Sequence, residues 1–106
     1  MTAKKTTNPV VTPLKTVTVR GVEMTLDPAA FINDEIVLYL SELDDFDTQT
    51  DGERKQTLAD MYRVFRILFP NWRDIAKKLR DDTGRVPRGA ITSFILETIA
   101  ALSPNS

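Results

Sequence analysis

The run from residue 54 to 69 limits what this chain can fold into more than any other segment. Leu58, Met61, Tyr62, Phe65, Leu68 and Phe69 recur there at the i, i+3, i+4, i+7 spacing that lines up apolar side chains along one side of an α-helix. Pro70 follows at once, and a proline in a helix removes a backbone hydrogen bond and clashes with the preceding turn, so the helix ends there. Most of the stability of such a helix comes from covering its apolar stripe, so the chain has to supply packing partners. Residues 34–43 are one: Ile36, Val37, Tyr39, Leu40 and Leu43 share a side opposite Asp34, Glu35, Ser41 and Glu42, and Asn33 stands ready as N-cap. Residues 71–79 are another, with Trp72, Ile75, Ala76 and Leu79 apolar, and with Asn71 and Asp74 spaced as a capping box. Gly84 then offers a left-handed C-terminal position. Pro87 fits the first turn of a last helix, whose seam is Ala90, Ile91, Phe94, Ile95, Thr98, Ile99 and Leu102, up to the break at Ser103-Pro104.

Upstream the period changes from 3.6 to two. In residues 15–26 Val17, Val19, Val22, Met24 and Leu26 alternate with polar Thr16, Thr18, Glu23 and Thr25. A two-residue turn at Arg20-Gly21 pairs Val19 with Val22 and Val17 with Met24, which puts the apolar residues of both strands on one face. An isolated hairpin is marginal in water, so this one must lie on the helices or pair its edge with another chain. Asp27-Pro28 closes it and can begin a helical turn. Residues 44–53, five acids around the lone Phe46, read as a loop. Residues 1–14, with Pro9 and Pro13 and no periodicity, read as a flexible tail, and residues 103–106 as a short C-terminal one. A chain of 106 residues supports one core, so residues 15–102 form a single domain. The expected fold is mainly α: an N-terminal β-hairpin followed by a four-helix bundle.

The residue types limit the chemistry. Without histidine or cysteine the chain lacks the usual general base, the usual nucleophile pairs and the usual transition-metal ligands, so we expect no enzyme and no cofactor. The carboxylates Asp44, Asp45, Asp47, Asp51 and Glu53 do not follow the spacing of a calcium-binding loop, and no glycine-rich phosphate loop occurs. No apolar run approaches the ~20 residues of a membrane span, and no apolar segment follows Lys4 and Lys5 as in a secretory leader, so a cytoplasmic protein that does not engage membranes is expected. Charge is sorted along the chain: residues 23–53 hold ten carboxylates and no Lys or Arg, whereas residues 54–88 hold ten basic residues and four acids. The two halves can attract each other within one molecule or between copies, so self-association is one expectation. Arg63, Arg66, Arg73, Lys77, Lys78, Arg80, Arg85 and Arg88 on a helix pair suggest a helix-turn-helix regulator, but the acidic half would repel phosphates and the link is Pro70, not a glycine turn, so no nucleic-acid partner is expected.

The order of elements, with the segments KTVTVRGVEMTLDP (15–28), FRILFPNWRDIAKKLRDDTGRVP (65–87) and FILETIAAL (94–102), resembles the tail assembly chaperones of long-tailed phages, in particular those infecting actinobacteria. The resemblance implies a non-virion protein of the host cytoplasm that binds the tape measure protein, keeps it soluble and helps bring tail tube subunits to it. It implies no catalytic residue. Such families often make a second, longer product by ribosomal frameshifting, which would make this chain the short form. A long helical tape measure needs its apolar stripes covered by a partner with its own apolar groove. The helix 90–102 carries more apolar residues than one neighbour can cover, so Ile91, Ile95, Ile99 and Leu102, closed at one end by Phe69 and Trp72, are the expected partner-binding residues; burial of all six in the monomer is the competing expectation. A head-tail connector or tail-completion protein retained in the virion is the alternative, and a small helix-turn-helix regulator a further one.

Overall fold

The computed structural model describes residues 13–103, so of the expected tail segments only residues 13, 14 and 103 fall within it. It is mainly helical, with an N-terminal two-stranded antiparallel hairpin followed by five helices, four of them of substantial length. Strands β1 (Lys15–Val19) and β2 (Val22–Leu26) pair in the expected register, Val17 opposite Met24 and Val19 opposite Val22. Arg20 and Gly21 have φ of +50° and +80°, the positive pair that a type I′ turn requires and that suits the right-handed twist of two strands. Arg20 has a Cβ and adopts this conformation at some strain. Its guanidinium clamps Glu97 through Nε (3.1 Å to Oε1) and Nη2 (2.7 Å to Oε2), which ties the turn to the last helix. The four apolar side chains between the strands' ends are buried, and β1 packs on that helix. The hairpin's need for cover is therefore met within the molecule.

Asp27 caps the short helix α1 (Pro28–Phe31) by accepting from the Ala29 amide at 3.0 Å, with Pro28 in the first turn. Asn33 caps α2 (Asp34–Asp44) by accepting from the Ile36 amide at 3.1 Å. The next segment differs from the expected open loop. A 3₁₀ turn (Phe46–Thr48) is held by Arg54, whose Nε and Nη2 donate to the carbonyls of Phe46 and Asp47, and the following helix starts earlier than residue 54. Helix α3 spans Asp51–Leu68, because Thr50 and Glu53 form the reciprocal capping box: the Glu53 amide donates to Thr50 Oγ1 and the Thr50 amide to Glu53 Oε1.

The capping box expected at Asn71 is absent. Asn71 has φ −93° and ψ 29°, not the extended backbone an N-cap needs, and its side chain makes no cap bond to α4 (Trp72–Lys78). Gly84 is likewise not at a helix end. Helix α4 stops at Leu79, and Gly84 (φ +79°) belongs to a separate turn organised by Asp81, whose Oδ1 accepts from the Thr83 amide, the Thr83 hydroxyl and the Arg85 amide. Those donors, the Thr83 hydroxyl foremost, hold the Asp81 carboxyl below its ordinary pKa. Helix α5 (Ala90–Leu102) begins at Gly89, left-handed at φ +83°, so Pro87 lies outside it.

The centre of the core is aromatic. Phe69 lies 5.3 Å from Phe31, 5.3 Å from Phe65 and 5.4 Å from Phe94 between ring centroids, and the Phe31 and Phe94 contacts are edge-on. These four rings join α1, α3, the residue before Pro70, and α5 at one point. Around them lie the hairpin valines, Ile36, Val64, Ile75 and Ile95. The buried stripe of α3 is Thr57, Asp60, Met61, Val64 and Phe65, about one residue round from the expected one, which leaves Tyr62 exposed. The shift has a polar cause at the α2 end of α3. Thr57 Oγ1 donates to Gln49 Oε1, Gln49 Nε2 donates to the Glu42 carbonyl, and Gln56 Nε2 donates to the buried Asp60 carboxylate. Thr98, also buried, satisfies its hydroxyl on the Phe94 carbonyl one turn back, at 2.7 Å.

Candidate partner-binding groove

Turning Tyr62 outward opens a shallow apolar groove between α3, α4 and the start of α5. Its larger part, about 250 Å³, is lined by Tyr62, Phe65, Arg66, Trp72, Ala76 and Ile91. A second part of about 150 Å³ shares the walls Tyr62 and Ile91 and continues along Val86, Pro87, Arg88 and Gly89. Packing and local turns together set the walls. The one-residue rotation of α3 puts Tyr62 at the rim and Phe65 at the floor. Pro70 ends α3 so that Trp72 opens α4 at the groove's side. The Asp81-centred turn and the left-handed Gly89 carry 86–89 back across the mouth.

The rim is basic. Arg73 stacks over Trp72 with its guanidinium carbon 4.4 Å from the ring centroid, a cation–π contact that fixes the indole in a half-buried position. Arg66 and Arg88 line the two parts of the groove, and among the described residues neither has a carboxylate within ion-pair distance. An apolar floor with aromatic walls and free guanidinium groups suits an amphipathic segment that carries carboxylates beside its apolar side chains.

The six residues expected to bind a partner separate. Phe69, Ile95 and Leu102 are 2% exposed or less and belong to the core. Phe69 is the hub of the aromatic cluster, and Ile95 faces inward on α5 with Phe94 and Thr98, so neither offers surface to a partner. Ile99 is partly buried against the core and lines neither part of the groove. Trp72 and Ile91 are brought together in it. Sequence reasoning does not reach the rest of the groove: periodicity places Tyr62 in the core stripe, Arg66 and Arg88 stand out only as part of a candidate nucleic-acid surface, and the position of residues 86–89 depends on a turn built from side-chain to backbone bonds. Among the described residues no group of three or more carboxylates is placed to hold a metal ion, and no helix is long and apolar enough to cross a membrane. Comparisons with protein-family models, with curated proteins and with solved structures find no match to this chain.

Proposed function

We propose that this chain is a phage tail assembly chaperone, which binds the tape measure protein in the host cytoplasm, keeps it soluble and helps bring tail tube subunits to it. The observation that carries this reading is the groove of Tyr62, Trp72 and Ile91 with Arg66 and Arg88, which have no ion-pair partner among the described residues, a surface that fits an amphipathic helix. The sequence resemblance in residues 15–28, 65–87 and 94–102 supports it, since the groove walls Trp72, Ala76 and Val86 fall in the second of these segments. Half-buried aromatic residues flanked by arginine are the side-chain types that dominate binding energy at protein interfaces.

Co-expression with a tape measure fragment that is insoluble alone tests the proposal. Ile91→Glu places a charge in the groove at a position that is only partly buried, and is expected to leave the melting curve near that of the wild type while the fragment goes to the pellet. Ile95→Glu places it in the core and is expected to unfold the domain, as read by circular dichroism. An Ile91→Glu protein that still keeps the fragment soluble would overturn the groove as the binding site.

A further inference from the structure

A second set of exposed apolar side chains, away from the groove residues, lies on α2 and α5. Val37 is 56% exposed, Leu38 69% and Leu96 43%. Val37 and Leu96, with Leu40 and Leu43, surround a depression of about 300 Å³ between the two helices, edged by Ser41 and Asp44; Leu38, next to Val37 in the chain, does not line it. Single exposed apolar residues are ordinary, but two exposed ones lining a formed depression with two half-buried leucines mark an interaction surface.

The charge around this face is of one sign. On α2, Asp34 stands one turn before Val37 and Leu38, and Asp44 and Asp45 follow one turn after Ser41, so carboxylates stand at both ends of the apolar strip. None of the three has an ion-pair partner among the described residues. The Arg20 guanidinium, in the hairpin turn, is already held by Glu97, next to Leu96 on α5. Nor does the chain carry a Lys or Arg anywhere between residues 23 and 53.

We infer that the α2–α5 face is a second docking surface and that its occupant is a cationic amphipathic helix of a protein partner. The partner lays aliphatic side chains over Val37, Leu43 and Leu96 and brings Lys or Arg to Asp34, Asp44 and Asp45. The 11-residue α2 is ~16 Å long, so the helix engages over about three turns, with apolar anchors at i, i+3 or i+4, and i+7. The sign of charge separates this surface from the α3–α5 groove: the basic rim there repels a cationic helix that the acidic strip attracts. The inference does not rest on the tape measure reading, because it uses none of the groove residues.

The probe is a fluorescein-labelled 18-residue synthetic peptide with Leu at helical i, i+3, i+4, i+7 positions and Lys elsewhere on the flanks, titrated with the full chain and followed by anisotropy. Two controls accompany it: the same peptide with Glu for Lys, and a scrambled peptide of the cationic composition. Saturable binding of the cationic stripe alone is expected, weakened at least tenfold by Val37→Lys, weakened by 0.5 M salt, and unchanged by Trp72→Ala. Val37 is more than half in water, so Val37→Lys is expected to melt like the wild type, and melts of both variants check this. Equal binding of the scrambled peptide, equal binding of the acidic peptide, or indifference to Val37→Lys would overturn the inference. Sedimentation of the protein alone covers the other occupants. A mass that rises with concentration and reverts to monomer in Val37→Lys assigns the face to a second copy. Peptide binding that appears only after residues 1–12 are deleted assigns it to the chain's own N-terminal segment. Either result replaces the proposed partner.

Discussion

Phe94→Ala tests the packing most directly. Phe94 is fully buried, with its ring edge-on to Phe69 at 5.4 Å and to Phe65 at 6.3 Å. Truncating a buried phenylalanine to alanine costs about 3 to 5 kcal/mol, from lost burial plus the cavity left behind. Favourable aromatic pairs add about 0.5 to 1.5 kcal/mol each beyond burial, and two of them go with this ring, so the upper part of the range, about 4 to 5 kcal/mol, applies. A small domain has about 5 to 15 kcal/mol in all. At a urea m-value of about 1.5 kcal/mol/M, the midpoint should fall by about 3 M, close to complete unfolding if the starting stability is low. Urea titration followed by circular dichroism at 222 nm measures this, and Phe94→Leu, which keeps most of the volume, should lose much less and so remain measurable. Phe69→Leu combined with Phe94→Leu should depart from additivity by more than about 0.5 kcal/mol, because the two rings touch. A loss below about 1 kcal/mol for Phe94→Ala at an unchanged m-value would refute the reasoning, because the ring could not then be at the centre of the core.

The polar contact between α2 and α3 predicts a pH effect. Burial, together with the neighbouring Asp60 carboxyl, raises the pKa of Glu42 above its ordinary value of about 4.5. The folded state therefore holds the proton more tightly than the unfolded one, and this contribution to stability is complete below pH about 4.5 and is lost as pH rises through the folded pKa. Glu42→Gln should accordingly melt at a higher temperature than the wild type at pH 7, with the difference shrinking towards pH 4; equal melting temperatures at both pH values would contradict it. For the helix caps, Thr50→Ala should cost about 0.5 to 2 kcal/mol through loss of the capping box, whereas Asn71→Ala, whose side chain caps nothing, should be close to neutral in the same urea titrations. The reverse order would show that α3 and not α4 has the uncapped start.

How far the sequence reaches can be judged element by element. The hairpin register, the I′ turn at Arg20-Gly21, the Asp27 and Asn33 caps and the stop at Pro70 were all legible, because each is set by neighbours within four residues: an alternation, a positive φ, a side chain reaching its own helix's first turn. The start of α3 was equally local but hidden, since Thr50 and Glu53 lay inside a run of acids that read as loop. Which side of each helix faces inward was decided only by tertiary packing. Composition made Tyr62 look like a core residue and Thr57 and Asp60 like surface. The bonds from Gln49 and Gln56 and the packing of α2 on α3 reversed this, since a buried polar group is tolerated once its partners are in place. The same holds for the candidate site. Ile95 and Leu102 stand out by helical periodicity and Phe69 as an aromatic beside the Pro70 break, but neither signal can tell an apolar residue under another helix from one at its edge. Phe31 and Phe94 closing over Phe69 put it in the core, whereas Trp72, under the Arg73 guanidinium, and Ile91 stay half-buried at the groove. Exposure is a property of the assembled helices, so the docking surfaces became visible only with the fold, while the sign of charge around each was already written in the acidic first half and basic second half of the chain.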